Sequence, residues 1–373
     1  MCLYGEMKDG QHMAAALRLA ERGLFSTAPN PNVGCVVVSD GNVVGQGWHA
    51  RAGEPHAEVH ALREAGEQAR GADVFVTLEP CSHHGRTPPC ADALVAAGVG
   101  RVVVAMQDPN PQVGGSGVER LKAAGIRVET GLLEGQARKL NPGFISRMQR
   151  GRPWVRLKLA ASLDGRTAMA SGESQWITGD AARRDVQRLR ARSSAIVTGI
   201  GTVLADDPSM NVRLEASDLN DVEPVRQPLR VVLDTQLRMP AAMKMLSLPG
   251  ETLVLTGSAD ADAKSVLQKA GASVEAIAVQ DERLSPEVVL EHLAQREINE
   301  VLLECGPTLA GAFMAAGLVD ELVLYLAPHL MGDNGRGLFS LPGLEKMRDR
   351  VELEWLDVRP VGNDWRITAR PKS

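Results

Sequence analysis

PCSHHGRTPPC, residues Pro80 to Cys90, decides how the first part of this chain is read. The segment follows an apolar run of strand type, Val74 to Leu78. Its paired prolines, Pro88-Pro89, open a helix that Gly98 stops. Upstream, His56-Ala57-Glu58 opens another helix, expected from Pro55 to about Ala69 with proline in its first turn. One imidazole and two thiolates suit Zn²⁺, and three protein ligands leave a fourth position for water, as a catalytic site requires. Both helix starts aim N–H groups and positive dipole ends at the cluster, which favours thiolate and lowers the pKa of water. His56, Cys81 and Cys90 are therefore the candidate metal ligands. Glu58 need not ligate and is placed to carry a proton to a leaving amine. Taken singly, a histidine at a helix start is commonly a satisfied polar group and a buried cysteine a small hydrophobe. It is their conjunction within one domain that points to metal.

Around this segment strand and helix alternate. A helix from Gln11, strands Val33–Ser39 and Val43–Trp48 turned at Gly41-Asn42, strands Val102–Ala105 and Ile126–Glu129, a helix Gly117–Ala124 and a closing helix Glu134–Met148 predict an α/β layered domain over residues 1–150. Gly151-Arg152-Pro153 reads as the linker. A second α/β domain is expected over 151–373, with strands at Trp154–Ala160, Ala195–Thr198, Leu229–Asp234, Thr252–Leu255, Ser273–Ala276 and Val301–Glu304. A charged helix, Asp180 to Arg192, and helices near 260–271, 286–295 and 308–316 intervene. The last segments, Leu322–Ala327, Val351–Val358 and Trp365–Arg370, lack helices and suggest an antiparallel edge.

Composition excludes several classes. No window approaches the ~18 apolar residues of a membrane span, and the mixed-charge N-terminus is not a secretory signal. Five cysteines are too few for a disulfide scaffold, so a reducing cytoplasm is expected. Cys35, in an apolar strand, reads as core; Cys2 falls in a terminus expected to be mobile; Cys305 is a candidate pocket residue. Residues 1–150 carry 15 basic and 15 acidic side chains, the remainder 26 and 31, and aromatics are only 3%. That balance argues against nucleic acid as a partner, since such binders show basic surfaces and stacking platforms.

The zinc deaminase signature is H-x-E followed by P-C-x-x-C, and this chain places eight residues between the cysteines instead. That insert, with PNPNVGCV (Pro29–Val36) and GQGWH (Gly45–His49), resembles the pyrimidine deaminases of riboflavin biosynthesis. The resemblance runs on through SLDGRTA (Ser162–Ala168), TVLADDP (Thr202–Pro208) and ECGPTLAG (Glu304–Gly311). It covers about residues 11–365 and points to the bifunctional diaminohydroxyphosphoribosylaminopyrimidine deaminase/5-amino-6-(5-phosphoribosylamino)uracil reductase family. This resemblance implies a cytidine-deaminase-like zinc domain followed by a dihydrofolate-reductase-like domain that uses NADPH. It implies hydrolytic, zinc-dependent loss of the 2-amino group of a phosphoribosylated diaminopyrimidinone as ammonia, then reduction of the ribosyl side chain to ribityl. By match to the family, Asn30 and His49 lie near the pyrimidine, and His83 and Arg86 lie on the insert that caps the site.

In the second domain the residues alone say less. Gly199-Ile-Gly201 starts a G-x-G pattern whose third glycine is replaced by Leu204, which is weak evidence. Gly306-Pro307-Thr308 ends a strand and begins a helix, an arrangement that serves either as a phosphate site or as a plain βα turn. The resemblance assigns nucleotide contacts to Ala160, Trp176, Thr202, Asp206, Thr235 and Gly306, Pro307, Thr308, Leu309, Ala310, Gly311 and Ala312. It assigns substrate contacts to Ser174, Arg190, Met210, Arg213 and Glu304, with Arg190 and Arg213 as phosphate clamps. Asp206 is the candidate acid of the reductive step; otherwise it is a turn former in Ala-Asp-Asp-Pro. The expected partner is a small phosphorylated pyrimidine, and a homo-oligomer is expected. Two other readings are a cytidine- or tRNA-type deaminase with an unrelated α/β appendage, and a binding module clipped by structural zinc.

Overall fold

The structure, a computed structural model, describes residues 2–82, 89–111 and 113–372. The chain divides into two compact units, Met1–Gly151 and Arg152–Ser373. The first begins with α1 (Cys2–Glu21), nine residues earlier than the apolar pattern predicts and including Cys2. A hairpin follows, β1 (Gly34–Ser39) and β2 (Asn42–Trp48); Ser39 pairs with Asn42, so Asp40-Gly41 forms the turn, both at positive φ. Then come α2 (Ala57–Ala65), β3 (Asp73–Val76), α3 (Cys90–Ala97), β4 (Arg101–Val104), α4 (Ser116–Ala123), β5 (Arg127–Thr130), α5 (Glu134–Leu140) and α6 (Pro142–Arg150).

The sheet order is β2-β1-β3-β4-β5. Side chains alternate across it. Val37, Val74 and Val102 pack under α2, α3 and α4, while Val36, Phe75 and Val103 meet α1, α5 and α6. The expected closing helix is two helices, because Pro142 drives the residue before it out of the helical region: Asn141 sits at φ −125°. Pro55 likewise lies outside its predicted helix, which His56 caps. Gly45 and Gly47 seat α2 on β2; a Cβ there would lie 2.1 Å from the Ala61 carbonyl oxygen and 2.4 Å from that of Ala57. Any side chain at either position would push α2 away from the sheet.

The second unit runs β6 (Trp154–Ser162), β7 (Arg166–Ala168), α7 (Asp180–Arg192), β8 (Ala195–Gly199), α8 (Ile200–Asp206), β9 (Leu229–Leu233), β10 (Thr252–Thr256), α9 (Ala261–Lys269), β11 (Ser273–Ala276), β12 (Val279–Gln280), β13 (Arg283–Leu284), α10 (Pro286–Gln295), β14 (Glu300–Glu304), α11 (Pro307–Ala315), β15 (Glu321–Ala327), β16 (Arg336–Gly337), β17 (Leu353–Val361) and β18 (Asp364–Pro371). Its main sheet has the order β11-β10-β9-β8-β14-β6-β15-β18-β17. The expected antiparallel edge is confined to the last two strands: β15 runs parallel to β6, β18 alone reverses, and β17, antiparallel to β18, runs in the direction of β15 again. β14 returns to lie between β8 and β6. The chain leaves the sheet in opposite directions there, which opens a crevice at the carboxyl ends of these strands.

Candidate active sites

In the first unit, α2 and α3 bring three ligand atoms together. His56 Nδ1 lies 3.2 Å from Cys90 Sγ and 3.6 Å from Cys81 Sγ, and all three atoms fall within 4.8 Å of one another. Tetrahedral zinc with ordinary bond lengths sets N and S ligands about 3.5 Å apart, so the donor set fits that ion. The Cys90 N–H also donates to Cys81 Sγ at 3.3 Å, which seats one thiol on the start of α3. Hydrogen bonding from Cys90 and His56 holds the Cys81 thiol well below its ordinary range, and Cys90, sharing that proton, is pushed up. That direction favours the thiolate a metal requires.

Glu58 is 3% exposed, and its Oε2 has no hydrogen-bond partner. Burial pushes this carboxyl up to about 7, against its own backbone hydrogen bond and the charge of His56; a bound dication would oppose that rise. A buried carboxylate oxygen without a partner beside three metal ligands fits a group that exchanges protons with what the metal binds.

His49 is 2% exposed and set edge-on to His56, ring centroids 5.1 Å apart. Its Nδ1 lies 3.2 Å from the Pro55 carbonyl oxygen, which accepts, leaving Nε2 to take the Asn30 amide N–H at 2.9 Å. Burial lowers the His49 pKa and favours that neutral form. The two predicted pyrimidine neighbours thus touch. Asn30's loop is clasped from behind: Asn32 N–H donates to Asn141 Oδ1 at 2.7 Å, and Asn141 Nδ2 donates to the Asn32 carbonyl at 2.9 Å. His83 and Arg86 lie outside the described residues. Cys35 is fully buried in the core, as expected.

Sequence reasoning missed Glu79. Its carboxylate accepts four backbone N–H groups, those of Asp108, Gly115, Gly117 and Val118, at 2.9–3.1 Å, and so ties the start of α4 to the Cys81 segment. Ser82 Oγ to Ser116 Oγ at 2.6 Å and Arg120 to the Ser82 carbonyl at 3.2 Å add to the seam. Glu79 stands two residues before a ligand, but its donors are 29 to 39 residues away, a distance no local pattern bridges.

In the second unit a cavity of about 1280 Å³ opens at the carboxyl ends of β6, β14 and β8. Ala160, Ser174, Trp176, Thr202, Asp206 and Thr235 line it, as do Arg190, Met210, Arg213 and Glu304. So do Gly306, Pro307, Thr308, Leu309 and Ala312 at the start of α11. Ala310 and Gly311 do not. Ala310 is fully buried in the core, and a Cβ on Gly311 would meet the Ser340 carbonyl, because the helical period turns these two positions away from the opening. The Arg190 fork is engaged by Glu304 at 2.6 and 2.8 Å and by the Asn211 carbonyl at 3.2 Å. Burial raises the Glu304 pKa, but the charges of Arg190, Lys158 and Arg213 prevail and hold the carboxyl ionised.

Lys158 is the group the sequence did not flag. It lies on β6, paired in register with Glu304, and lines the cavity; burial lowers its pKa, with Glu304 opposing and Arg190 reinforcing. Trp176 is 70% exposed with the Arg183 guanidinium 4.8 Å from its ring centre. Cys305 lines the cavity as expected, and burial pushes its thiol up, against any role as nucleophile. The start of α11, the Thr308 hydroxyl and the cationic lining suit a ligand that carries several phosphates.

The fold and sites define a zinc-dependent deaminase joined to a reductase. Residues 6–106 match the cytidine and deoxycytidylate deaminase zinc-binding region, and residues 153–367 match the RibD C-terminal domain. The riboflavin biosynthesis protein RibD of Escherichia coli is 54% identical over 96% of this chain and 98% of its own length. That of Haemophilus influenzae is 49% identical over 98% of each. Among solved structures, RibD of Acinetobacter baumannii superposes with a TM-score of 0.92 at 48% identity, covering 99% of this chain and 100% of that one. A Thermotoga maritima diaminohydroxyphosphoribosylaminopyrimidine deaminase/5-amino-6-(5-phosphoribosylamino)uracil reductase does so with 0.86 at 34%, with the same coverage. This chain belongs to the RibD family, bifunctional enzymes of riboflavin biosynthesis whose cofactors are Zn²⁺ and NADPH. An unrelated appendage is thereby ruled out for residues 153–367. No helix among the described residues is long and apolar enough to cross a membrane.

Proposed function

We propose that residues 1–150 deaminate a 2,5-diamino-6-(5-phosphoribosylamino)pyrimidin-4(3H)-one and that residues 151–373 then reduce its ribosyl side chain. The observation that carries the first step is the three-ligand cluster beside a buried carboxylate oxygen without a partner. When bound, zinc supplies Lewis acidity for hydrolysis, and NADPH supplies a hydride. His56, Cys81 and Cys90 hold the metal. Glu58 takes a proton from the attacking water and delivers it to the departing amine, so that ammonia leaves as oxygen takes its place on the ring. Neutral His49 and Asn30 hold the pyrimidine edge, and His83 and Arg86 are proposed as further substrate-binding residues.

In the second unit the hydride goes to C1′ of the opened sugar and a proton to the adjoining nitrogen. Asp206 and Lys158 are the titratable groups on the cavity wall proposed to assist ring opening and proton transfer. Arg213 and Ser174 receive the phosphorylated side chain; Arg190 acts by fixing Glu304. One assay following ammonia and NADPH together tests the division of labour. Cys81→Ser should lose ammonia release, by more than about 100-fold, while the pre-deaminated substrate is still reduced at the wild-type rate. Loss of both activities would defeat the two-site reading.

We also propose a cytoplasmic homo-oligomer. β17 ends the large sheet, and Trp355, Val358 and Trp365 on β17 and β18 are 63%, 51% and 50% exposed, an apolar surface that a second copy would cover. Trp355→Asp should lower the mass measured by light scattering to that of one chain; an unchanged mass would place the interface elsewhere.

A further inference from the structure

The two proposed thiol ligands are joined by more chain than the zinc deaminase signature provides. In P-C-x-x-C the cysteines stand three residues apart, so the backbone itself sets their separation. Here eight residues lie between Cys81 and Cys90. A longer loop closes on many end-to-end distances, and holding its ends at one of them costs more conformational entropy. Yet the ligand atoms of His56, Cys81 and Cys90 lie within 4.8 Å of one another. Contacts other than the connecting chain must set that spacing.

Some of them come from α3. The Cys90 N–H donates to Cys81 Sγ at 3.3 Å, and the Ala91 N–H donates to the Cys81 carbonyl at 3.1 Å. The others come from α4, which carries none of the three ligands. Glu79, 5% exposed and two residues before Cys81, sets both carboxylate oxygens at the start of that helix. Its Oε2 accepts from the Asp108 and Gly115 N–H groups, and its Oε1 from those of Gly117 and Val118. A cradle of backbone donors holds an anion closely. Gly117 permits the approach, since a Cβ there would lie 2.0 Å from the Pro80 carbonyl oxygen. One turn further along, Arg120 reaches back. Its guanidinium donates to the Ser82 carbonyl at 3.2 Å and pairs with Asp92. Ser82 follows one thiol directly, and Asp92 lies two residues beyond the other. One side chain of α4 therefore touches both cysteine segments.

We propose that α4 is a bracket that holds Cys81 and Cys90 at metal-binding separation in place of the short C-x-x-C link, which makes Glu79 and Arg120 positioning residues of the zinc site. The assignment rests on the reading of His56, Cys81 and Cys90 as the ligands. Glu79 and Arg120 supply no ligand atom and act through the cysteines. The carboxylate locks the start of α4 to the chain entering Cys81, and the guanidinium ties its next turn to the residues beyond each thiol. A thiol pair held in advance loses less freedom when it takes up metal, so the bracket raises zinc affinity without touching zinc.

Zinc affinity of the full-length protein is measured by competition with a chromophoric chelator. Melting temperature and NADPH-dependent reduction of the pre-deaminated substrate are followed on the same samples. Glu79→Gln puts an amide where four N–H groups need acceptors, and should weaken zinc by about 10–100-fold, the range for groups that orient ligands. Arg120→Met should weaken it about two- to fivefold, as expected for an exposed contact: Arg120 and Asp92 side chains are 46% and 36% exposed. For the same reason its melting temperature should stay within about 3 °C of wild type. Reduction should be unchanged in both variants, which shows that the chain is folded. An Arg120→Met variant with wild-type zinc affinity overturns the bracket, whatever Glu79→Gln does. So does a Glu79→Gln variant that melts lower but binds zinc as tightly as wild type, since the contacts are then only structural. Cys81→Ser is the control: if it leaves zinc affinity unchanged, the ligand reading itself fails.

Discussion

Glu58→Gln is expected to abolish ammonia release while leaving zinc in place. Positioned acid–base groups contribute about 10²–10⁴-fold, and the loss should lie at the upper end because the Glu58 carboxyl is buried beside the ligands. Glu58 is buried and its Oε2 is without a partner, so the amide fits the same space but cannot shuttle a proton. The ligand atoms are those of His56, Cys81 and Cys90, and none is altered. Ammonia measured by a coupled assay and zinc by elemental analysis provide the two readings. A variant that keeps more than a tenth of wild-type turnover, or that loses its metal, sinks the assignment of Glu58 as proton carrier. The first result would also reopen the reading of zinc as a structural clip.

The second large effect is expected at Glu304. Its carboxylate is 16% exposed, is bonded in bidentate fashion to Arg190, and is the acidic neighbour of Lys158. Glu304→Gln leaves two cations partly desolvated without their counter-charge. Breaking a buried pair from one side costs about 3–5 kcal/mol. With residual exposure of the pair the lower end applies, which for a domain of this size lowers the melting temperature by roughly 6–12 °C. Reduction of pre-deaminated substrate should fall at least about tenfold as the wall facing the substrate loses its carboxylate and becomes more positive. Arg190→Met combined with Glu304→Met should recover part of the stability, since the pair is then removed from both sides, but none of the reduction. Calorimetry and NADPH oxidation on the same samples separate the two effects. Additive destabilisation in the double variant would show that the pair is not coupled.

Much of this was legible in residue order. The alternation of strand and helix, His56-x-Glu58, and two cysteines flanking a helix start are local patterns, and the fold keeps them local. Gly98 stops α3 in the left-handed conformation its position calls for. What failed to show is what depends on contacts remote in sequence. Along β6 the period of two puts Arg156, Lys158 and Ala160 on one face, so both charges look alike from the sequence. Arg156 finds Glu300 and Glu321, 144 and 165 residues away, and becomes a structural ion cluster, whereas Lys158 reaches the cavity. That Arg190 is also held by Glu304 does not show in the sequence, because this partner lies 114 residues downstream. The family pattern over Gly306–Ala312 names a continuous run, but a helix shows only part of its circumference to a cavity, and Ala310 and Gly311 are not in the lining.

The clasp between Asn32 and Asn141 bears on how much of this chain makes a portable catalyst. The proposed metal ligands His56, Cys81 and Cys90, the proposed proton carrier Glu58, and Asn30 and His49 all precede residue 106, where the matched zinc-binding region ends. Yet the loop carrying Asn30 is held by a residue at the joint between α5 and α6. A fragment trimmed to the motif would keep the chemistry and lose the template that aims it. In this chain the motif is held together with its two trailing helices, so a portable fragment should end after α6 rather than after β4.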